Sequence, residues 1–238
     1  MSGKATSMIL GAKKFLILAA AVCAFSPAIG AQTFMTPSGS SVSDGSVSAS
    51  ATFAVSTGEI VITLSDLLVN PKSVGQLVSD LQFSLSGVTG TSTLTSSFAN
   101  MIFVAANGST VAGTPGSTGW GFGSFQSGLI VCVVCPSGIT STAPNQLIIG
   151  PPGPNGVYSA ANSSIAGNGP HNPFLNQSAT FTILNSTINA STLVSNVVFS
   201  FGTTFGSNVS ATPELGTFAL FGTGLLALAK FARRRIWI

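Results

Sequence analysis

The chain has 238 residues, of which 8 are Lys or Arg and 5 are Asp or Glu, about 5% charged against roughly 25% in an ordinary soluble domain. The basic residues crowd the two ends, with Lys4, Lys13 and Lys14 at one and Lys230, Arg233, Arg234 and Arg235 at the other. Residues 32–210 keep only Lys72 against Asp44, Glu59, Asp66 and Asp80, and 52 of them are Ser or Thr. The body is therefore weakly acidic and solvated by neutral hydroxyls, which excludes a nucleic-acid-binding role.

Behind the basic lead, Phe15 to Phe25 is an apolar run of eleven residues, short for a bilayer span. Ser26-Pro27-Ala28-Ile29-Gly30-Ala31 then supplies a helix breaker and small residues. This is the layout of a secretory signal peptide over residues 1–31, cut after Gly30 or, preferably, after Ala31 to leave Gln32 first. The competing reading is a retained anchor helix, which the short apolar core disfavours.

In the body, Val47, Ala49, Ala51, Phe53 and Val55 alternate with small residues, the two-residue period of a half-buried strand. Ser56-Thr57-Gly58 is a turn signal, and Ile60, Ile62 and Leu64 then share a face, so residues 46–67 form a predicted hairpin. A helical turn is expected between Asn70-Pro71 and Asp80. Leu81, Phe83 and Leu85 alternate again, and further strands are expected at 91–98, 101–105, 129–134, 147–149, 180–184 and 196–201. Long loops are expected at 113–128 and 136–173, where glycine and proline preclude a regular helix or a central strand. Short strands between turn clusters indicate an all-β fold, a single β-sandwich of Ig-like or jelly-roll-like type over residues 32–210. Asn-x-Ser/Thr triplets at Asn107, Asn162, Asn176, Asn185, Asn189 and Asn208 have the form of glycosylation acceptors. In so hydroxyl-rich a chain, most of them are expected by chance.

Chemistry-bearing groups are few. Cys132-Val133-Val134-Cys135 is a CxxC, but Pro136 stands where haem attachment needs a histidine, and with His171 the only histidine zinc lacks ligands. A local disulfide, a pair of buried thiols and a redox motif remain, the first favoured in an oxidising compartment. A bridge requires the strand to end or bulge there, because residues three apart on an ideal strand point to opposite faces. His171, a serine and one of Asp44, Asp66 or Asp80 have the composition of a hydrolytic triad, yet no Gly-x-Ser-x-Gly elbow is present. The body carboxylates are scattered, so no glycosidase pair is read, and no catalytic residue, metal or cofactor is assigned. Trp120, Phe122 and Phe125 lie among glycines, where they either stack on sugar rings or plug one end of the sandwich. The plug is the simpler reading.

At the carboxyl end, Thr212 reads as a helix N-cap, Pro213 suits the first helical position, and Glu214 faces the positive end of the dipole. Residues from Leu215 to Ala229 are apolar or small. Continued to Ala232, a helix here is about 27 Å long, close to a hydrocarbon core of roughly 30 Å. Arg233, Arg234 and Arg235 would hold its far end in the cytoplasm and leave the body outside.

Residues 211–238 resemble the PEP-CTERM sorting signal of exported bacterial proteins. Pro213 and Glu214, the apolar helix and the arginine cluster match; Leu215 replaces the second proline, and Ile236-Trp237-Ile238 extends past the arginines. Parts of the body, around Glu59, at His171-Asn172-Pro173-Phe174 and at 195–202, resemble the Ser/Thr-rich β domains of such proteins. The resemblance implies an exported protein of a Gram-negative-type bacterium, trimmed by signal peptidase and anchored first in the inner membrane. It implies further processing by an exosortase, a membrane-embedded cysteine peptidase, with this chain as substrate. A non-enzymatic structural or adhesive role at the cell surface or in an exopolysaccharide-rich biofilm is the expectation that follows. The alternatives are a carbohydrate-binding module using residues 120–125 and a secreted hydrolase centred on His171.

Overall fold

The computed structural model describes residues 31–214. The expected leader, up to residue 30, and the expected membrane helix with its arginine cluster lie outside the described residues, as does Leu215. Among the described residues, no helix is long and apolar enough to cross a membrane.

The strands are β1 (Gln32–Met35), β2 (Ser41–Val42), β3 (Gly45–Ser46), β4 (Ala49–Ser56), β5 (Glu59–Asp66), β6 (Val78–Leu85), β7 (Thr93–Val104) and β8 (Thr110–Ala112). They continue with β9 (Gly121–Phe125), β10 (Gly128–Cys132), β11 (Ile148–Ile149), β12 (Phe174–Leu184), β13 (Val194–Phe201), β14 (Asn208–Ser210) and β15 (Thr212–Pro213). Helix is confined, among the described residues, to short 3-10 turns at Val74–Gln76, Pro154–Gly156 and Gly169–His171. The body is mostly β-sheet.

Two strand groups share one hydrogen-bonded network. The first runs β15-β1-β4-β5-β12-β7-β8, and the second β14-β13-β6-β10-β9. Strand β11 joins them, pairing parallel to β12 at Ile148↔Leu175 and antiparallel to β6 at Ile148↔Val78. The hairpin β2–β3 stands apart.

The β4–β5 hairpin shows how sequence sets register. Its tight turn places Gly58 at φ 79°, the left-handed region that glycine tolerates, and pairs Ser56 with Glu59 through to Ala49 with Asp66. Alternation then sends Ala51, Phe53, Ile60, Ile62 and Leu64 inward, all fully buried. Phe53 of β4 meets Phe83 of β6 edge-on at 5.3 Å and Phe34 of β1 at 5.7 Å. The inner faces of the two groups thus meet over aromatic rings, each costing about 3–5 kcal/mol on truncation to Ala.

Several expectations need correction. The strands expected at 91–98 and 101–105 are one strand, β7, whose pairing with β12 shifts register twice: between Leu175 and Ala179 of β12, with Gln177 at φ 66°, and between Thr182 and Ile183, where the extra residue is Thr95 of β7. Residues 113–128 are not one loop, since Gly121–Phe125 pair with β10. Their glycines are packed rather than loose: a Cβ on Gly121 would lie 2.4 Å from the Thr140 carbonyl oxygen and 2.6 Å from Ile139. Thr212-Pro213 do not start a helix. They form β15 on the free edge of β1, where proline's missing N–H costs no ladder bond. The turn expected at 70–80 is confined to Val74–Gln76, because Val78 already belongs to β6.

The Asn-x-Ser/Thr triplets also have a structural meaning. In four of them the Asn Oδ1 accepts the backbone N–H two residues on: Asn107 from Ser109 at 3.1 Å, Asn162 from Ser164 at 2.8 Å, Asn185 from Thr187 and Asn189 from Ser191 at 2.9 Å. The Ser or Thr hydroxyl donates to the same oxygen. These are Asx turns, which explains why the triplets sit between strands.

Candidate functional site

The outward side of the first strand group carries rows of neutral hydroxyls across β1, β4, β5 and β12, flanked by the apolar positions Ala54, Val61 and Leu184. Pairing places Thr33 beside Thr52, Thr52 beside Thr63 and Thr63 beside Thr180, a threonine row across β1, β4, β5 and β12 that ends at Phe98 of β7. A parallel row holds Ser50, Ser65 and Ser178. On the other side Thr182 of β12 pairs with Ser96 of β7. Rows like these repeat at about 4.8 Å between strands and about 6.7 Å along each strand. Thr63 and Phe98 are exposed and the other threonines of the row half-buried. The Thr33 and Thr52 hydroxyls bond each other at 3.1 Å. The one charge on the outward side of these strands is Glu59, at the hairpin end. Each hydroxyl donates once and accepts twice, so the face suits a partner that is itself a repeating, uncharged array of hydroxyls.

A polar cleft of about 270 Å³ lies elsewhere, between the β2–β3 turn, the Val74–Gln76 turn, the Asn162–Ser164 loop and the β13–β14 turn. Its walls are tied together. Gln76 donates from Nε2 to the Ser46 carbonyl at 2.8 Å, while its Oε1 accepts from the N–H groups of Lys72 and Ser73. Ser164 Oγ accepts the Val74 N–H at 2.9 Å, and Gly202 N–H donates to the Leu77 carbonyl at 2.8 Å. Asp44 lies across Gly75, where a Cβ would come within 2.0 Å of the Asp44 Oδ2. Ser73 is 7% exposed and its hydroxyl has no hydrogen-bond partner among the described residues.

The aromatic residues do not form a platform. Trp120 is 5% exposed, donates its indole N–H to the Gln146 carbonyl at 2.8 Å, and tilts against Phe181 at 5.2 Å. Phe122 and Phe125 follow on β9 and, three residues apart, point to opposite faces. Phe122 packs against the core, and Phe125 meets Phe205 edge-on at 5.3 Å. The expected glycan contact at Trp120 therefore lacks an exposed ring face in this arrangement.

Strand β10 ends at Cys132 and the chain turns through Val133 and Val134, bringing the Cys132 and Cys135 Cα atoms to 5.1 Å with their sulfurs bonded. His171 is tied through Nδ1 to the Ser164 carbonyl at 2.7 Å, which holds the ring as a loop anchor. Asp66 and Asp80 are 1% and 0% exposed, on β5 and β6, and neither lines the cleft. Burial pushes the Asp66 carboxyl well up from the usual range, against hydrogen bonds from the Leu68, Gly150 and Val78 N–H groups. Burial likewise pushes Asp80 up to about 7, with Ser200 and Gln82 pulling the other way. Burial and then the Asp66 charge raise Tyr158, whose hydroxyl donates to the Gly150 carbonyl at 2.8 Å. Among the described residues, no group of three or more His, Cys, Asp or Glu could hold a metal ion.

Of the expected sorting residues, Pro213 and Glu214 are described. Pro213 pairs with Phe34, Glu214 N–H donates to the Thr33 carbonyl at 2.9 Å, and both border a shallow cleft of about 500 Å³ beside Met35 and Pro37. Sequence reasoning missed the hydroxyl rows and the cleft. The alternating Ser and Thr of β4, β5 and β12 carried the first, but their alignment requires the strand order; nothing local signals the second. Compared with protein families, with curated proteins and with solved structures, the chain matches none.

Proposed function

We propose that the protein is an exported, non-enzymatic component of the cell surface or extracellular matrix, adhering through its hydroxyl face to neutral exopolysaccharide. The observation that carries this reading is the registered threonine row from Thr33 to Thr180. A row of neutral donors and acceptors, with Glu59 the one charge on its face at the hairpin end, complements a neutral sugar polymer. The bonded Cys132–Cys135 pair supports export, because disulfides persist in oxidising compartments. In this reading the body is a two-layer β-sandwich, its layers the two strand groups that meet at Phe53 and Phe83. Residues 1–31 are its secretory leader, and 211–238 are a PEP-CTERM-like membrane anchor and exosortase substrate.

Retention on the exopolysaccharide of the producing cells tests the reading. The full chain should be retained, and a double Thr52→Lys, Thr180→Lys variant, which puts two charges into the row without touching the core, should pass through. Equal retention of the two proteins would remove the face from the binding surface.

A further inference from the structure

We infer that the last strand of the body is a clasp on residues 212–214. While it is closed, the peptidase proposed above cannot take the tail. The identity of that enzyme rests on the sorting reading; the clasp itself does not. Residues 208–214 close a seam between the two strand groups. Asn208, Val209 and Ser210 pair with Ser200, Phe199 and Val198 of β13, and the Ala211 N–H donates to the Val197 carbonyl at 2.9 Å. The chain then crosses to β1. There Thr212 and Pro213 lie opposite Met35 and Phe34, and the Glu214 N–H donates to the Thr33 carbonyl at 2.9 Å. Gln32, at the start of β1, also reaches β13, its Oε1 accepting the Val194 N–H at 3.0 Å.

The strand has two unequal halves. Val209 and Ala211 are half-buried against the core and anchor the first. Thr212, Pro213 and Glu214 are exposed, so the second is held by backbone pairing and a 3.5 Å contact from the Thr212 hydroxyl to the Met35 carbonyl. A peptidase reads an extended substrate through the same main-chain N–H and C=O groups that a sheet edge uses. At Thr212 and Glu214 these groups face β1. Pro213 alternates to the outer edge and has no N–H to offer there. The motif of Pro213, Glu214 and Leu215 therefore begins inside the clasp. Only a few exposed hydrogen bonds oppose peeling, which favours the closed form by about tenfold to a hundredfold. Cleavage then tracks the open fraction. The clasp slows the cut without abolishing it.

The test locks the clasp. Met35→Cys with Thr212→Cys puts two thiols on opposed residues, about 5.5 Å apart at Cα in a hydrogen-bonded pair and within disulfide range. Every sample carries Cys23→Ser, and intact mass confirms the new bond. The probe is a glutamate-specific endopeptidase acting on the full chain in detergent, because Glu59 and Glu214 are the only glutamates. Cutting after Glu214 should be at least about tenfold slower in the locked protein than in its parent. Reductant should restore the rate, with the reduced parent as the control for Cys132–Cys135. Thr212→Pro, which strips the rung opposite Met35, should be cut about fivefold faster. In producing cells the locked protein should keep its tail longer than the parent. A locked protein cut after Glu214 at the parent rate, Thr212→Pro cut no faster, or both tails lost together in cells would each overturn the inference. A parent tail that is never removed would overturn the sorting reading and the gate with it, while the endopeptidase rates still report the clasp.

Discussion

Asp80→Asn should stabilise the protein at neutral and alkaline pH and flatten its stability profile. Asp80 sits on β6 between Cys132 of β10 and Ser200 of β13, fully buried, with Oδ2 unpartnered among the described residues. Its carboxyl titrates near the ordinary 3.8 when the chain is unfolded and at about 7 when folded. Below about pH 4 both states hold the proton. Between about pH 4 and 7 only the folded state does, so each rise in pH favours unfolding, and the loss is complete above about pH 7. At about 1.36 kcal/mol per pH unit, the interval amounts to about 4 kcal/mol. The asparagine amide removes that charge cost but leaves a buried donor unpaired, worth about 1–3 kcal/mol. The expected net is a gain of about 1–3 kcal/mol near pH 8 and a loss of similar size near pH 4. Asp66, raised for the same reason, keeps some of the slope in the variant. Urea unfolding of the full chain, followed by tryptophan fluorescence across this range, reads both effects. An equal penalty at every pH, with the wild-type slope intact, would refute the idea that Asp80 holds its proton in the folded state.

Gly150→Ala should destabilise by about 1–3 kcal/mol, because its Cβ would lie 2.1 Å from the Leu68 carbonyl oxygen and 2.9 Å from Asp66 Oδ1; thermal unfolding measures it. Replacing both Cys132 and Cys135 by Ser should cost about 2 kcal/mol, the small value set by so short a closed loop, read by urea denaturation with and without reductant. Trp120→Phe should lower stability by about 1–3 kcal/mol by orphaning the Gln146 carbonyl, without changing retention on polysaccharide. Lost retention at wild-type stability would return the aromatic segment to the binding surface.

Alternation made the β4–β5 hairpin readable, because Phe53, Ile60, Ile62 and Leu64 state the inner face and Gly58 marks the turn. It failed at residues 121–125, where two glycines have no side chains to alternate; only their packing under Ile139 shows why they are there. Thr212-Pro213-Glu214 satisfies the local rules for a helix start, yet the free edge of β1 offers backbone partners that a local rule does not see. The cleft was hidden for the same reason. Asp44, Ser73, Ser164 and Thr203 are far apart in the chain and come together only after the β2–β3 hairpin and the β13–β14 turn have been placed.

Intact mass of the native protein recovered from outside the producing cells tests the export claim most directly. The expected product begins at Gln32, lacks the apolar tail, and carries the Cys132–Cys135 bond as a mass two hydrogens below the reduced form. A full-length, reduced chain confined to the cytoplasm would contradict it.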